Sequence, residues 1–211
     1  MKHHAIEPYY SPRGTVPLTA LISMNWVKRG KGIKGIQCSE ANMSKEWVIK
    51  KRRPVRKKIV LPLLKELSNS LGVEIDIQNA LFEFADYGTW NLILINKLPM
   101  AIELKNPNGE IVAFPTLKGI LNWKPVLKWV AVDRGAIPFL LNGADCMMAG
   151  VQDCDPDIVE QDLVWICDEV HKKPIAVGWA LTDGPNMIDS KSNKGISTIH
   201  WIGDELCNLE L

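Results

Sequence analysis

The chain lacks any pair of cysteines spaced as CxxC. Its five cysteines, Cys38, Cys146, Cys154, Cys167 and Cys207, are odd in number. A disulfide framework or a zinc ribbon is therefore not expected, and reduced thiols in a cytosolic protein fit better. No apolar run approaches the ~18 residues that span a bilayer. The nearest thing to a signal segment, residues 15–27, is broken by Pro17, Ser23 and Asn25 and lacks an A-x-A cleavage site, so secretion is not expected. Net charge is also scarce: 25 Lys+Arg stand against 24 Asp+Glu in 211 residues. As a total, that balance argues against a nucleic-acid partner.

The distribution reverses that impression. Residues 1–58 hold 14 basic and 3 acidic side chains, residues 59–150 hold 7 and 9, and residues 151–211 hold 4 and 12. The chain is dipolar along its sequence. Its basic end attracts phosphate, and its acidic end limits nonspecific sticking or offers a surface to a basic partner. A content of 46% hydrophobic and 23% charged residues excludes a wholly disordered chain, a collagen or a coiled coil. The length suits one or two compact domains with a sizeable core.

Residues 1–42 show neither period 2 nor period 3.6. They are expected to form a poorly ordered extension, or alternatively an irregular arm around the first domain. From Trp47 the patterning becomes regular. Residues 47–50 suit a short strand leading into a basic run. Ile59, Val60, Leu63, Leu64, Leu67 and Leu71 recur at helical spacing up to Gly72, with Pro62 awkward inside. Residues 80–85, 91–95 and 100–104 are strand-like, and Asn108-Gly109 signals a hairpin before residues 111–114. A short helix follows Pro115-Thr116-Leu117. This predicts a small α+β domain over about 43–125.

Residues 126–211 read differently. The pattern predicts a strand at 128–132 and a short helix at 134–141. Further short strands are expected near 145–147, 162–167, 176–180 and 199–201, with a last one at the C-terminus. Many short strands punctuated by glycine indicate a closed or nearly closed small barrel, which removes exposed edges.

Several motifs dissolve when their context is checked. Gly30-Lys31-Gly32-Ile33-Lys34-Gly35 matches GxGxxG, but no helix starts there and Arg52 and Arg53 stand near where a ribose-binding acid belongs. Asp153, Asp155 and Asp157 imitate a calcium loop, yet Ile158 and Val164 occupy the positions that need Gly and Glu, and Pro156 intrudes. A solvated acidic turn fits better. His171, His200 and the thiols form no nucleophile, base and oxyanion-donor set. No enzyme, metal or cofactor is indicated, and His200 between Ile199 and Trp201 reads as structural.

Two features remain. Lys50, Lys51, Arg52, Arg53, Arg56, Lys57 and Lys58 crowd into nine positions. They are either a solvated flank of the following helix or a surface for an external anion. The helix dipole disfavours cations at that end, which supports the anion, with RNA phosphate the obvious candidate. The eight tryptophans offer base stacking, but Trp flanked by Val, Ile and Ala in strands is more often core.

Val132-Asp133-Arg134-Gly135-Ala136, then Asn142-Gly143-Ala144-Asp145 and Ala149-Gly150-Val151, resemble the signature of a PUA domain. Residues 174–180 (PIAVGWA) resemble that family's central strand. Lys194-Gly195-Ile196 with Ile199-His200-Trp201 and Asp204-Glu205-Leu206 resembles its closing segment. Upstream, Phe114-Pro115-Thr116-Leu117 and the domain order resemble the malignant-T-cell-amplified-sequence family of translation-associated proteins, over about residues 45–211. The resemblance implies an α+β pre-PUA domain followed by a PUA-type β-barrel with short helices.

It further implies a non-enzymatic RNA-binding protein of the cytoplasm. The expected ligand is tRNA or small-subunit ribosomal RNA, in initiation or recycling, with a possible protein partner on the ribosome and no membrane. Motif-matching positions for RNA are Arg134, Gly135, Ala136, Asn142, Gly143, Ala144, Lys194 and Gly195. Gly135 and Gly143 would let a nucleotide chain approach the helix between them, whose N-terminal N–H groups suit a phosphate. The acidic second half requires either a local basic patch or help from residues 50–58. An RNA-modification enzyme or its RNA-binding subunit is the alternative, and an acidic docking module a third.

Overall fold

The computed structural model describes residues 47–106 and 108–211. The extension expected at 1–42 lies outside the described residues, as do Trp26, Cys38 and the GxGxxG stretch.

The basic run is itself a strand. β1 (Ile49–Val55) is the outer strand of a five-stranded antiparallel sheet ordered β1-β2-β3-β4-β5, with β2 Phe82–Tyr87, β3 Trp90–Ile95, β4 Leu98–Lys105 and β5 Ile111–Pro115. The expected strand at 47–50 is thus displaced, because cross-strand partners on β2 accept the cations. A register shift between Lys50 and Arg53 puts Lys51 at φ 49. Pro54 is tolerated because an outer strand needs no second ladder. The bulge, the charges and the proline together make this edge a poor template for another strand.

α1 (Lys57–Leu71) follows directly and ends at Gly72 in the left-handed region, as the spacing predicts, with Pro62 carried inside it. Its apolar stripe, Val60, Leu64, Leu67 and Leu71, packs with Phe82, Ile93, Ile95 and Ala101 of the sheet. The same core continues into the second half through Trp165, Cys167 and Val177. The sheet's other face, Ala85, Tyr87, Leu92, Leu94 and Ile102, is covered by Leu206 and Leu209.

α2 (Leu117–Trp123) leads to a six-stranded sheet ordered β7-β11-β10-β9-β6-β8. Its strands are β6 Trp129–Val132, β7 Cys146–Met147, β8 Val151–Cys154, β9 Leu163–Asp168, β10 Pro174–Ala180 and β11 Lys194–Trp201. β6 and β9 pair parallel; the other pairs are antiparallel. The end strands β7 and β8 are joined by the tight turn Met148–Gly150, so the sheet curls into a barrel-like half. The architecture is α+β. α3 is only Ile137–Leu140, shorter than the expected 134–141. β8 and α4 (Gly184–Asp189) had no periodic signal strong enough to predict them. No strand forms after Trp201; hydrogen-bonded turns replace the expected last one.

His200 holds the halves together. It is 1% exposed. Its Nδ1 lies 2.6 Å from Asp204 Oδ2, and its Nε2 accepts the Leu117 N–H at 3.2 Å. An amide can only donate, so Nε2 carries the lone pair and Nδ1 the proton. Leu117 opens α2 beside its N-cap Thr116, whose hydroxyl accepts from Gly119 N and donates to Pro99 O. A Cβ on Gly119 would come within 2.1 Å of Met100 O, so only glycine lets α2 lie this close to β4. Asp204 also accepts from Trp201 N and Cys207 N, folding the turn that delivers Leu206.

Replacing His200 by alanine leaves the Leu117 amide and the Asp204 carboxylate without their partner. Urea denaturation followed by tryptophan fluorescence should show His200→Ala and Asp204→Ala each losing about 2–4 kcal/mol. The double variant should lose less than the sum of the two.

Candidate nucleic-acid interface

The expected turn is built around Asp133. At the end of β6 its Oδ1 accepts the Ala136 N–H at 2.8 Å, bending the chain through Arg134 and Gly135 into α3. That amide is therefore already occupied by a carboxylate, and α3 is a single turn. α3 ends where Ala144 N donates to Phe139 O and Gly143 N to Leu140 O, with Gly143 at φ 75. A Cβ there would lie 2.5 Å from the Trp201 indole. Gly143 is thus fixed by backbone conformation and by an aromatic neighbour. Asn142 turns back to donate to Pro138 O.

The closing segment meets this turn from the other side. Lys194 Nζ pairs with Asp145 Oδ2 at 2.7 Å, and the same carboxylate accepts the Thr198 N–H at 3.0 Å. The Lys194 hydrogen bond, then the Thr198 amide, outweigh burial and hold the Asp145 carboxyl below its ordinary range. Thr198 Oγ1 donates to Ala144 O. Gly195 is buried against Met148. The eight positions therefore form one neighbourhood, in which Arg134, Gly135, Asn142 and Ala144 are exposed and Gly195 is not.

Beside the turn opens a cleft of about 250 Å³, walled by Gly135, Ala136, Met147 and Ala149, with Asp133 and Asp145 at its edge. Phe139, 67% exposed, stands over it from α3, and Met147, 48% exposed, faces it from β7. Phe139 was invisible in the pattern because a single-turn helix has no periodicity to mark an outward apolar position. The tryptophans, the obvious stacking residues, are packed instead. Every described one is partly or fully buried.

Along β1 and into the first turn of α1 the seven cations divide. Arg52 makes a two-pronged bond to Glu83 at 2.9 and 2.7 Å, and Lys51 pairs with Asp86 at 2.9 Å. Arg53 lies over the Phe84 ring, and Lys57 Nζ donates to Ile77 O. Lys50, Arg56 and Lys58 are exposed and have no ion-pair partner among the described residues. Arg56 is the N-cap of α1, and the first turn of α1 carries no acid.

Comparison with known proteins now bears on this geometry. Residues 128–202 match the family model described as PUA domain. An uncharacterized protein of Methanocaldococcus jannaschii is 38% identical over 164 residues, 77% of this chain and 98% of that one. Translation machinery-associated protein 20 of Schizosaccharomyces pombe is 33% identical across 47% of this chain and 61% of its own length. Malignant T-cell-amplified sequence 1 of Danio rerio is 27% identical across 64% and 85%. A solved conserved PUA domain protein from Thermoplasma acidophilum superposes with a TM-score of 0.62 at 26% identity, covering 74% of this chain and 97% of that one. The chain carries a PUA domain over residues 128–202 and is similar to the malignant-T-cell-amplified-sequence proteins associated with translation.

Inside the PUA half three buried thiols are held protonated. Burial pushes Cys146 up to about 12, and Cys154 and Cys167 up to about 11, with nearby carboxylates adding to it for the first two. Such thiols stay protonated and are poor nucleophiles or metal ligands. Among the described residues no three His, Cys, Asp or Glu side chains gather where a metal ion would need them.

The Lys194–Asp145 pair gives the PUA half an acid-sensitive closure. A lowered folded-state carboxyl stabilises the fold at pH values above its unfolded range of about 4, and that contribution is lost as pH falls through the lower folded value. Lys194→Met should lower stability at neutral pH and flatten the dependence of the unfolding midpoint between about pH 5 and 2. Chemical denaturation across that range checks it.

Proposed function

We propose that this protein is a non-enzymatic RNA-binding factor of the translation apparatus, acting in the cytoplasm on tRNA or small-subunit ribosomal RNA during initiation or recycling. The observation that carries the reading is the cleft beside the PUA turn, where an exposed Phe139 stands over the small residues Gly135, Ala136 and Ala149. An unpaired base stacks on an exposed ring, and small walls let the nucleotide chain come close. The names of the relatives supply the translation context. In this reading residues 43–125 form the pre-PUA domain and residues 126–211 the PUA domain.

The carboxylates at the cleft edge are committed to the Ala136 amide and to Lys194 with Thr198, so they shape the cleft, and Lys194 offsets the charge of Asp145. Arg134, Gly135, Ala136, Asn142, Gly143 and Ala144 line or support the RNA path. Lys194 and Gly195 hold it from β11. Lys50, Arg53, Arg56 and Lys58 add phosphate contacts at a distance, whereas Lys51, Arg52 and Lys57 are already engaged.

Filter binding of tRNA at a series of salt concentrations tests this. Affinity should fall steeply with salt, and replacing Lys50, Arg53, Arg56 and Lys58 by glutamine should reduce the log–log slope by up to about 3. Phe139→Ala should weaken binding by about tenfold with the slope unchanged. Salt-insensitive binding, or base modification of tRNA by this chain alone, contradicts the proposal.

A further inference from the structure

A second cleft lies in the first half, where β1 runs into α1 beside the turn between β3 and β4. It measures about 270 Å³ and is walled by Pro54, Val55, Ala80 and Leu81, with Lys57 and Lys97 on its rim. Leu81 is 66% exposed, and Leu98, next to Lys97, is 50% exposed. Large aliphatic side chains standing this far out next to a cavity are the kind of apolar surface that a partner covers. The walls are fixed. Asn96 N donates to Leu81 O, Asn96 Oδ1 accepts the Leu81 N–H, and Lys97 sits at φ 68 in the turn.

The charge around these walls has one sign. The acid lining the cleft, Glu83, is held by the two-pronged bond from Arg52, which keeps its carboxyl below the ordinary range and cancels its charge locally. Lys97 remains to face an incoming group, and beside it Lys57, which donates one hydrogen bond to the neutral Ile77 carbonyl, keeps its charge and its other N–H groups. RNA matches poorly here. Phe82, the aromatic in the lining, is buried, so no ring is open for stacking, and aliphatic walls offer nothing to phosphate or ribose. An extended strand is excluded as well, since Pro54 has no N–H and the β1 edge is bulged.

We infer that this cleft docks an acidic segment of a protein partner, which inserts an apolar side chain between Leu81 and Val55 and sets its carboxylates against Lys57 and Lys97. The inference uses none of the residues of the PUA cleft, although Arg56 and Lys58, assigned phosphate contacts above, flank Lys57. Apolar insertion gives the affinity, and the flanking cations steer and orient the segment.

The test is fluorescence anisotropy with the full chain and a short labelled peptide carrying a central Leu-Phe pair among glutamates. The expected result is saturable binding, weakened about tenfold by Leu81→Ser, by Lys97→Asn and by serine at the peptide's Leu-Phe pair. Lys97→Asn removes the charge and preserves the turn, since asparagine accepts the left-handed region more readily than lysine. Circular dichroism checks that both variants fold. Binding indifferent to Leu81→Ser, or equal binding of the serine peptide, overturns the proposal. So does an oligouridylate that competes and shows the same sensitivity to Leu81→Ser, which assigns the cleft to RNA. A dimer in sedimentation that Leu81→Ser dissociates assigns it to a second copy and likewise overturns the proposal.

Discussion

One buried imidazole decides how the two sheets meet. His200 stands on the last strand of the second sheet and receives the first amide of α2 from the first half, while its other nitrogen is fixed by Asp204. A helix N-terminus leaves several N–H groups without partners inside the helix. Here Thr116 takes one from within the same segment and His200 takes another from the opposite half. The continuous core through Leu67, Phe82 and Trp165 supplies the bulk of the cohesion, but apolar contact is not directional. The histidine supplies the orientation.

That arrangement explains which parts of the fold were legible in the sequence. Hydrophobic spacing carried α1 and its glycine stop, the hairpin strands, and the strands of the barrel-like half. The turn residues carried the path from Asp133 to Asp145. What was missed was short or held by side chains. The single-turn α3 and the two-residue β7 are too brief for periodicity to appear. The segment after Trp201 is apolar enough to suggest a strand, yet Asp204 gathers its amides into turns. The basic run misled in the opposite way. It read as either a solvated flank or a surface for an external anion, and cross-strand pairing with Glu83 and Asp86 makes Lys50–Arg53 part of a strand.

The candidate site shows the same division. The motif positions converge on one turn, as their order along the chain implied, but their roles differ. Gly143 is required by its conformation and by Trp201, Gly195 is interior, and Asp145 and Lys194 latch the turn shut. The cleft beside the turn is drawn by Phe139 and Met147, neither of which stood out in sequence, and Arg134 lies outside its lining. Net charge was a poor guide for a related reason. Several acids in the second half have structural roles that a charge total does not reveal: Asp133 and Asp155 hold backbone amides and Asp162 pairs with Lys128.

The cover on the far face of the first sheet sets an order of events in the making of the molecule. β2, β3 and β4 are complete in sequence long before Leu206 and Leu209 are added. A nascent first half that has already formed α1 on one face still presents Leu92, Leu94 and Ile102 to solvent on the other. It stays sticky until the second half has emerged, folded and turned its tail back. That face is fully buried only when the C-terminal tail is in place, so the first half is complete only together with the second.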